Sequence, residues 1–314
     1  MNLRRFPRGS RGVRNTDMDS RLLQRRTEDR ASRRLRKGGI YILPSLFTVA
    51  NIAAGYYAIL QTIHGGQQEF WHFDNAAKAI GFAVLFDGLD GRIARLTHTE
   101  SAFGRELDSL ADVITFGVAP ALLAWMWGFH FISPSMDLPE IATKFGQFGV
   151  VQLGVIASFL FLVAGASRLA RFNIAINPQP SNPGRPGKKY FVGMPIPAGA
   201  GVIAAIVHFT GGSPLLWWVA ALTWLVALFL AASLMISKWR FYSFKDIDFR
   251  TRQPFQVIAL LALVFAGIWF FSRPVLFLIA VTYMFSGIFW RLQWIFRRKR
   301  NPPPPSYSEA SQTS

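Results

Sequence analysis

Residues 87–117 read DGLDGRIARLTHTESAFGRELDSLADVITFG. This stretch joins the end of one apolar segment to the start of the next and holds four aspartates: Asp87, Asp90, Asp108 and Asp112. The first two are spaced i, i+3 and the last two i, i+4, so each pair lies on one face of its helix. A short link predicts antiparallel neighbouring helices whose carboxylate faces can meet.

The rest of the chain predicts a helical membrane protein. It has 314 residues, of which 51% are hydrophobic, and its apolar runs reach or approach the roughly 20 residues that cross a bilayer as a helix. We expect an all-α, polytopic bundle of about eight transmembrane helices. The approximate spans are 40–62, 75–95, 106–130, 149–172, 194–211, 214–236, 255–272 and 275–296.

The distribution of lysine and arginine predicts the orientation of these helices. Residues 1–37 hold thirteen Lys/Arg against four Asp/Glu, whereas residues 63–74 hold neither lysine nor arginine and residues 131–148 hold only Lys144. Positive charge is retained on the cytoplasmic side of a membrane. The alternation along the loops therefore places both termini, and the four aspartates, on the cytoplasmic side, and an even number of spans satisfies this.

Three regions follow from the same patterns. Residues 1–38 form a basic tail, which we expect to be disordered and attracted to anionic membrane lipids rather than to nucleic acid. Residues 39–297 form the membrane domain. Residues 298–314, with the sequence NPPPPSYSEASQTS after Lys299 and Arg300, have the composition of a disordered tail. The chain has no cysteine, which excludes disulfides and thiolate chemistry.

The four aspartates have two readings. They can pair with Arg92, Arg95 and Arg105 in an ordinary interfacial hairpin, or they can hold metal ions. Placing a charged side chain at the centre of a membrane helix costs about 2.5–3.5 kcal/mol. Four carboxylates therefore need a shared partner that neutralises their charge. A ligand set made of carboxylates, with no histidine or cysteine, suits hard cations such as Mg²⁺, Mn²⁺ or Ca²⁺. Two such ions can bind a phosphoryl group between them. The four-aspartate arrangement favours the metal site.

The stretch also fits the pattern D-x2-D-G-x2-A-R-x8-G-x3-D-x3-D from Asp87 to Asp112, with no position missing. This pattern resembles the signature of the CDP-alcohol phosphatidyltransferases. The resemblance implies an integral membrane enzyme with two divalent metals, Mg²⁺ or Mn²⁺, in which an alcohol displaces CMP from a CDP-activated lipid. It also implies a homodimer.

Other segments resemble one branch of that family, the CDP-diacylglycerol–serine phosphatidyltransferases. They are LPSLFTVANIAAGYYAI (43–59), DSLADVITFGVAP (108–120), GASRLARFN (165–173), FVGMPIPAGAG (191–201) and SKWRFYSFKD (237–246). The resemblance implies CDP-diacylglycerol and L-serine as substrates, phosphatidylserine as product, and a bacterial cytoplasmic membrane as the location.

Spacing and resemblance together predict the role of each residue. Asp87, Asp90, Asp108 and Asp112 hold the metals, and Asp112 also acts as the general base. The CDP-lipid is bound by Gly91, Ala94, Arg95, Gly104, Thr48 and Asn51. Arg168, Arg171, Arg240 and Lys245 are candidates for binding serine or phosphate. Snorkelling at a helix end is the alternative for Arg168 and Arg171, and the anionic substrates favour a binding role for them. Arg240 and Lys245 are the weaker candidates, because a solvated basic loop also explains them.

Three alternatives remain open at this point. The acceptor can be another alcohol, such as glycerol 3-phosphate, inositol phosphate or choline, because the aspartate pattern does not separate these. Carboxylates within membrane helices also occur in cation-coupled transporters. The third alternative is an inactive lipid-binding scaffold. The complete set of four aspartates argues against it.

Overall fold

The computed structural model of the chain describes residues 46–97, 102–132, 140–174, 180–181, 190–242 and 254–298. The predicted tails lie outside these ranges, except for Arg298, which ends the last helix. The described helices are α1 (Leu46–His64), α2 (Trp71–Thr97), α3 (Ala102–Asp112), α4 (Ala119–Gly128), α5 (Glu140–Ile174), α6 (Ile196–Phe209), α7 (Trp218–Ile236), α8 (Pro254–Phe270) and α9 (Ser272–Arg298). A π-helical segment, Val113–Val118, joins α3 to α4, so that α3, this segment and α4 form one rod.

Within the described part of the chain, five rods are long and apolar enough to cross a membrane: Leu46–His64, Phe103–Gly128, Gly149–Ile174, Trp218–Ile236 and Ser272–Phe296. The other three rods, α2, α6 and α8, match the remaining predicted spans in position. However, α2 carries several charged residues, and α6 and α8 have only 14 and 17 residues. The helical membrane architecture is therefore confirmed, while the number of eight crossings stays a prediction.

Small side chains bring the helices of the bundle close together. Ala76 and Ala83 of α2 are fully buried, as is Ala200 of α6, and α2 and α6 pack along each other. Such residues allow backbones to approach closely where no hydrophobic effect separates protein from lipid. Trp224 of α7 packs against Gly128 and donates its indole N–H to the carbonyl of Ala124 at 3.0 Å. These contacts fix α4 against α7.

A two-stranded antiparallel sheet departs from the all-helical expectation. Strand β1 (Tyr190–Val192) pairs with strand β2 (Arg240–Tyr242), with Phe191 opposite Phe241. The sheet lies where α6 begins and α7 ends. Gly193 follows β1 with φ of 74°, and a Cβ there would lie 2.6 Å from the carbonyl oxygen of Met235. Only glycine fits this turn, which directs the chain from the sheet into α6.

Candidate active site

Three of the four predicted aspartates meet at the end of the bundle that carries the sheet. Asp87 comes from α2, and Asp108 and Asp112 come from successive turns of α3. One carboxylate oxygen from each residue lies within 4.8 Å of the other two. The packing of the helices brings Asp87 together with Asp108 and Asp112, which follow it in sequence by 21 and 25 residues. The side chain of Asp90 lies outside the described ones, although its backbone continues α2.

The burial of this cluster makes a bound cation chemically suitable. Asp112 is 8% exposed, and one carboxylate oxygen of Asp108 is buried without a hydrogen-bond partner among the described residues. Buried carboxylates at this separation repel each other and lose hydration, so they require a cation or proton. Oxygen ligands of this kind suit Mg²⁺ or Mn²⁺, and the residues present therefore fit a divalent metal site. The number and identity of the ions stay predictions.

The π-helical segment begins directly after Asp112 and shapes the region next to the cluster. Its residue Thr115 is fully buried and donates a hydrogen bond of 3.0 Å to the carbonyl oxygen of Asn51 in α1. A Cβ on Gly55 would collide with the same threonine. π-Helical turns occur frequently at functional sites, and nothing in the local sequence had indicated this one. The segment holds α1 against the helix that carries the predicted base.

Two predicted CDP-lipid residues of α1 lie in this contact region. Asn51 is fully buried, and neither polar atom of its amide has a hydrogen-bond partner among the described residues. Thr48, one turn earlier, is 6% exposed. A buried amide with open bonding capacity is costly unless a ligand satisfies it. The role of Asn51 in binding the CDP-lipid stays a prediction.

Arg168 is a buried cation at this end of the bundle. It lies near the end of α5 with 7% of its surface exposed, and its guanidinium carbon is 5.2 Å from the ring centre of Phe172 and 5.8 Å from that of Phe191. Its electrostatic neighbours include the carboxylates of Asp112 and Asp87. Aromatic faces stabilise a guanidinium in such a cradle. The carboxylates of Asp87, Asp108 and Asp112 and the guanidinium of Arg168 together carry a formal charge of −2. A divalent metal would balance this charge.

The end of α5 is tied to the neighbouring helices by polar contacts. Asn173 donates to the hydroxyl of Ser109 at 2.9 Å, and Ser109 donates to the carbonyl oxygen of Arg105 at 2.9 Å. Ser109 directly follows Asp108, so these bonds hold α5 against α3 at the cluster. Arg171 donates to the carbonyl oxygen of Ile236 at 2.9 Å and thereby caps α7. One N–H group of this predicted anion ligand is thus occupied by a structural contact.

Arg240 lies on β2 between two aromatic rings. Its guanidinium carbon is 4.9 Å from the ring centre of Tyr190 and 5.1 Å from that of Trp290. Burial lowers the pKa of this guanidinium, and the phenol of Tyr190 opposes that shift. The position explains Arg240 as a link between the sheet and α9, and its predicted role in binding substrate remains open.

The structure leaves some predicted site residues undescribed or only partly located. Gly91, Ala94 and Arg95 lie in the last turns of α2, but their side-chain environment is outside the described part of the chain. Lys245 lies outside the described residues altogether. Gly104 lies in α3, one turn before Asp108. The predicted roles of these residues stay predictions.

Comparison with known proteins agrees with this geometry. A family model described as CDP-alcohol phosphatidyltransferase matches residues 41–229. A Helicobacter pylori protein named CDP-diacylglycerol–serine O-phosphatidyltransferase is 34% identical over 265 residues, which is 82% of this chain and 92% of that protein. Proteins of the same name are 32% identical in Mycobacterium leprae (78% of this chain, 73% of that protein) and 35% identical in Methanocaldococcus jannaschii (51% and 58%).

The family match contains α2, α3 and the π-helical segment, and hence every aspartate of the cluster. It also contains Arg168, Asn51 and Thr48. The cluster of acidic side chains therefore lies within the matched sequence. Because the family model matches more than half of the chain, the chain belongs to the CDP-alcohol phosphatidyltransferase family.

Proposed function

We propose that this chain transfers the phosphatidyl group of CDP-diacylglycerol to the hydroxyl of L-serine, forming phosphatidylserine and releasing CMP. The observation that carries the proposal is the convergence of Asp87, Asp108 and Asp112 within 4.8 Å of one another, inside the family match. The names of the relatives support serine as acceptor, since proteins from bacteria and an archaeon carry the same name.

In this proposal, the four carboxylates have different roles. Asp87, Asp90 and Asp108 hold the metal, with Asp112 shared between the metal and the reacting alcohol. A bound divalent metal would supply charge stabilisation for the pyrophosphate and for the departing CMP. Asp112 accepts the proton of the serine hydroxyl as the oxygen attacks the phosphorus that bears diacylglycerol. The bond between that phosphorus and the CMP oxygen breaks in the same displacement.

Side chains around the cluster bind and orient the two substrates. Asn51 and Thr48 on α1, together with Gly91, Ala94, Arg95 and Gly104, border the CDP-lipid. Arg168 binds an anionic oxygen of a substrate, either the serine carboxylate or a phosphate, because a guanidinium forms paired hydrogen bonds with both. Arg171, Arg240 and Lys245 are the further candidates for this role. No cysteine is present in the sequence, and direct displacement needs no covalent intermediate on the enzyme.

The proposal includes a membrane orientation. All eight rods cross the membrane, both termini lie in the cytoplasm, and the aspartate cluster opens to that side, in a bacterial cytoplasmic membrane. Charge supports this arrangement, since lysine and arginine concentrate in the loops at the cluster end. Anionic lipids bind the basic N-terminal tail, and the enzyme works as a homodimer.

CMP release by purified full-length protein tests the function. The protein receives CDP-diacylglycerol with Mg²⁺ or Mn²⁺, and L-serine, glycerol 3-phosphate, inositol, inositol phosphate and choline are supplied in separate reactions. We expect release with serine alone. Release with a different alcohol would retain the chemistry and replace the acceptor, whereas no release with any of them would contradict the proposed function.

A further inference from the structure

A pair of histidines lies at the end of the bundle away from the aspartate cluster. His64 is the last residue of α1, His72 lies in the first turn of α2, and their ring centres are 5.9 Å apart. Asp87 lies on the same helix as His72 but further along the chain, about 22 Å away along the helix axis. The pair is therefore separate from the aspartate site, and the proposed reaction gives it no role.

Each of the two histidine rings has its Nδ1 atom next to an oxygen that can only accept a hydrogen bond. Nδ1 of His64 lies 2.7 Å from the carbonyl oxygen of Leu60, and Nδ1 of His72 lies 2.6 Å from the side-chain amide oxygen of Gln61. The proton of each neutral ring is therefore on Nδ1, and the lone pair that can bind a metal is on Nε2. Hydrogen bonds of this kind orient most metal-binding histidines.

The turn between α1 and α2 holds the two rings near each other. The N–H group of Gly65 donates to the carbonyl oxygen of Thr62 at 3.2 Å. Gly65 also packs so closely on the fully buried Phe73 that a Cβ at this glycine would collide with the phenylalanine ring. On the other side, the ring centre of Trp71 lies 5.5 Å from that of His72. The end of α1 is thus fixed against the start of α2.

The distance between the two histidine rings suits one shared metal ion. A metal at about 2.0–2.1 Å from a ring nitrogen lies about 3.2 Å from the ring centre, so two rings on one ion have centres no more than about 6.4 Å apart. The observed 5.9 Å lies within this limit. Imidazole nitrogens suit Zn²⁺, Cu²⁺ and Ni²⁺, whereas Mg²⁺ prefers oxygen ligands. The described part of the chain adds no third histidine or carboxylate to the pair, so water completes the coordination.

We propose that His64 and His72 bind one divalent transition-metal ion, such as Zn²⁺, through their Nε2 atoms and thereby link α1 to α2. These two helices carry Asn51 and Asp87 toward their other ends, so the ion would join them at the end opposite the aspartate cluster. An ion that binds only the folded protein stabilises it. This ion differs from the metal of the aspartate cluster in its position and in its nitrogen ligands.

Cu²⁺ is the probe for the ligand atoms, because nitrogen ligands split its electron paramagnetic resonance signal. The full-length protein, without a polyhistidine tag, is purified in detergent with excess Mg²⁺ to occupy the aspartate cluster, and Cu²⁺ is then titrated. His64→Gln and His72→Gln each remove one imidazole, and Gln61→Leu removes only the acceptor that orients His72. His130→Gln is the matched control, because His130 is an exposed histidine whose ring packs on Trp125.

In the wild type, we expect one Cu²⁺ ion per chain with two nitrogen ligands. The affinity should fall by about 10–100-fold in Gln61→Leu, the usual effect of losing the hydrogen bond behind a metal-binding histidine, and by more in either variant of the pair. Each variant of the pair should show one nitrogen ligand, and His130→Gln should match the wild type. Zn²⁺ should raise the unfolding temperature of the wild type and of His130→Gln, but not that of His64→Gln or His72→Gln.

Wild-type protein that binds Cu²⁺ without two nitrogen ligands would overturn the inference. Equal Cu²⁺ affinity in the wild type, His64→Gln and His72→Gln would do the same, and so would a Zn²⁺-dependent rise in unfolding temperature that both variants retain. The unfolding temperatures without metal are measured first, and a variant that does not fold leaves the other one to decide. None of these measurements uses CMP release, so their outcome is independent of the proposed function.

Discussion

The Nδ1 atom of His208 lies 2.5 Å from a carboxylate oxygen of Asp74, although 134 residues separate them in sequence. The other ring nitrogen of His208 is 3.0 Å from the hydroxyl of Ser272, at the start of α9. Asp74 also pairs with Lys78 at 2.8 Å, one turn along α2. These polar contacts join α2, α6 and α9 at the end of the bundle away from the aspartate cluster, so they hold the scaffold rather than the reacting groups.

Substituting His208→Ala should destabilise the protein. The variant leaves one carboxylate oxygen of Asp74, which is 6% exposed, without its hydrogen-bond partner, and an unsatisfied buried polar group costs about 1–3 kcal/mol. Thermal unfolding in detergent measures the loss. Lys78→Met is the control, because the exposed partner of a salt bridge contributes only about 0–1 kcal/mol. Equal unfolding temperatures for His208→Ala and the wild type would contradict this account.

Substituting Asp112→Asn should remove turnover while sparing the binding of CDP-diacylglycerol. A positioned general base contributes about 10²–10⁴-fold to the rate, and the amide cannot accept the proton. CMP release gives the rate, and protection of the protein against thermal unfolding by CDP-diacylglycerol gives the binding. Glu106→Gln, on the exposed face of the same helix, should keep near wild-type turnover. Wild-type rates in Asp112→Asn would make the assignment of the base wrong.

Substituting Asp87→Asn or Asp108→Asn should weaken metal binding, because each removes one carboxylate from the cluster. Mn²⁺ binding to the purified protein, followed by electron paramagnetic resonance, measures this directly. In the wild type, Mn²⁺ at about 100 times its dissociation constant should stabilise the fold by about 2.7 kcal/mol, and chelation should reverse the effect. Equal Mn²⁺ affinity in the wild type and both variants would argue against a metal site here.

Substituting Gly55→Ala should disturb the contact between α1 and the π-helical segment. The added methyl group would collide with Thr115, one turn after Asp112, and overpacking of this kind costs about 1–3 kcal/mol. We expect a lower unfolding temperature and a lower rate of CMP release, because the helix that carries Asp112 must shift. Gly81→Ala is the matched control, since a Cβ at Gly81 meets no atom within 4 Å. A wild-type rate of CMP release in Gly55→Ala would contradict the expected link between this contact and catalysis.

Local sequence was sufficient for the features that depend on short spacing. The i, i+4 spacing of Asp108 and Asp112 placed both on one helical face, and the short link after Thr97 made α2 and α3 neighbours. The carboxylates of Asp87, Asp108 and Asp112 do converge, as this spacing predicted. Apolar runs predicted the order of the helical rods for the same reason, since burial in lipid requires only length and composition.

Long-range packing set the features that the sequence had not indicated. The sheet forms between Tyr190–Val192 and Arg240–Tyr242, whose short segments carry no distinct strand pattern. It packs against α5 through Phe191 and Arg168 and against α9 through Phe241 and Tyr283. The π-helical segment after Asp112 likewise depends on where Thr115 meets α1. Backbone geometry of this kind follows from neighbouring helices, which single-sequence periodicity does not describe.

By itself, the sequence determined a membrane-embedded helical chain with an acidic motif of fixed spacing. The tertiary structure alone decided which side chains surround that motif, such as Arg168, which is buried beside the rings of Phe172 and Phe191. The reason is physical. Periodicity specifies the face of one helix, whereas burial and electrostatic proximity arise only after helices distant in sequence have packed together.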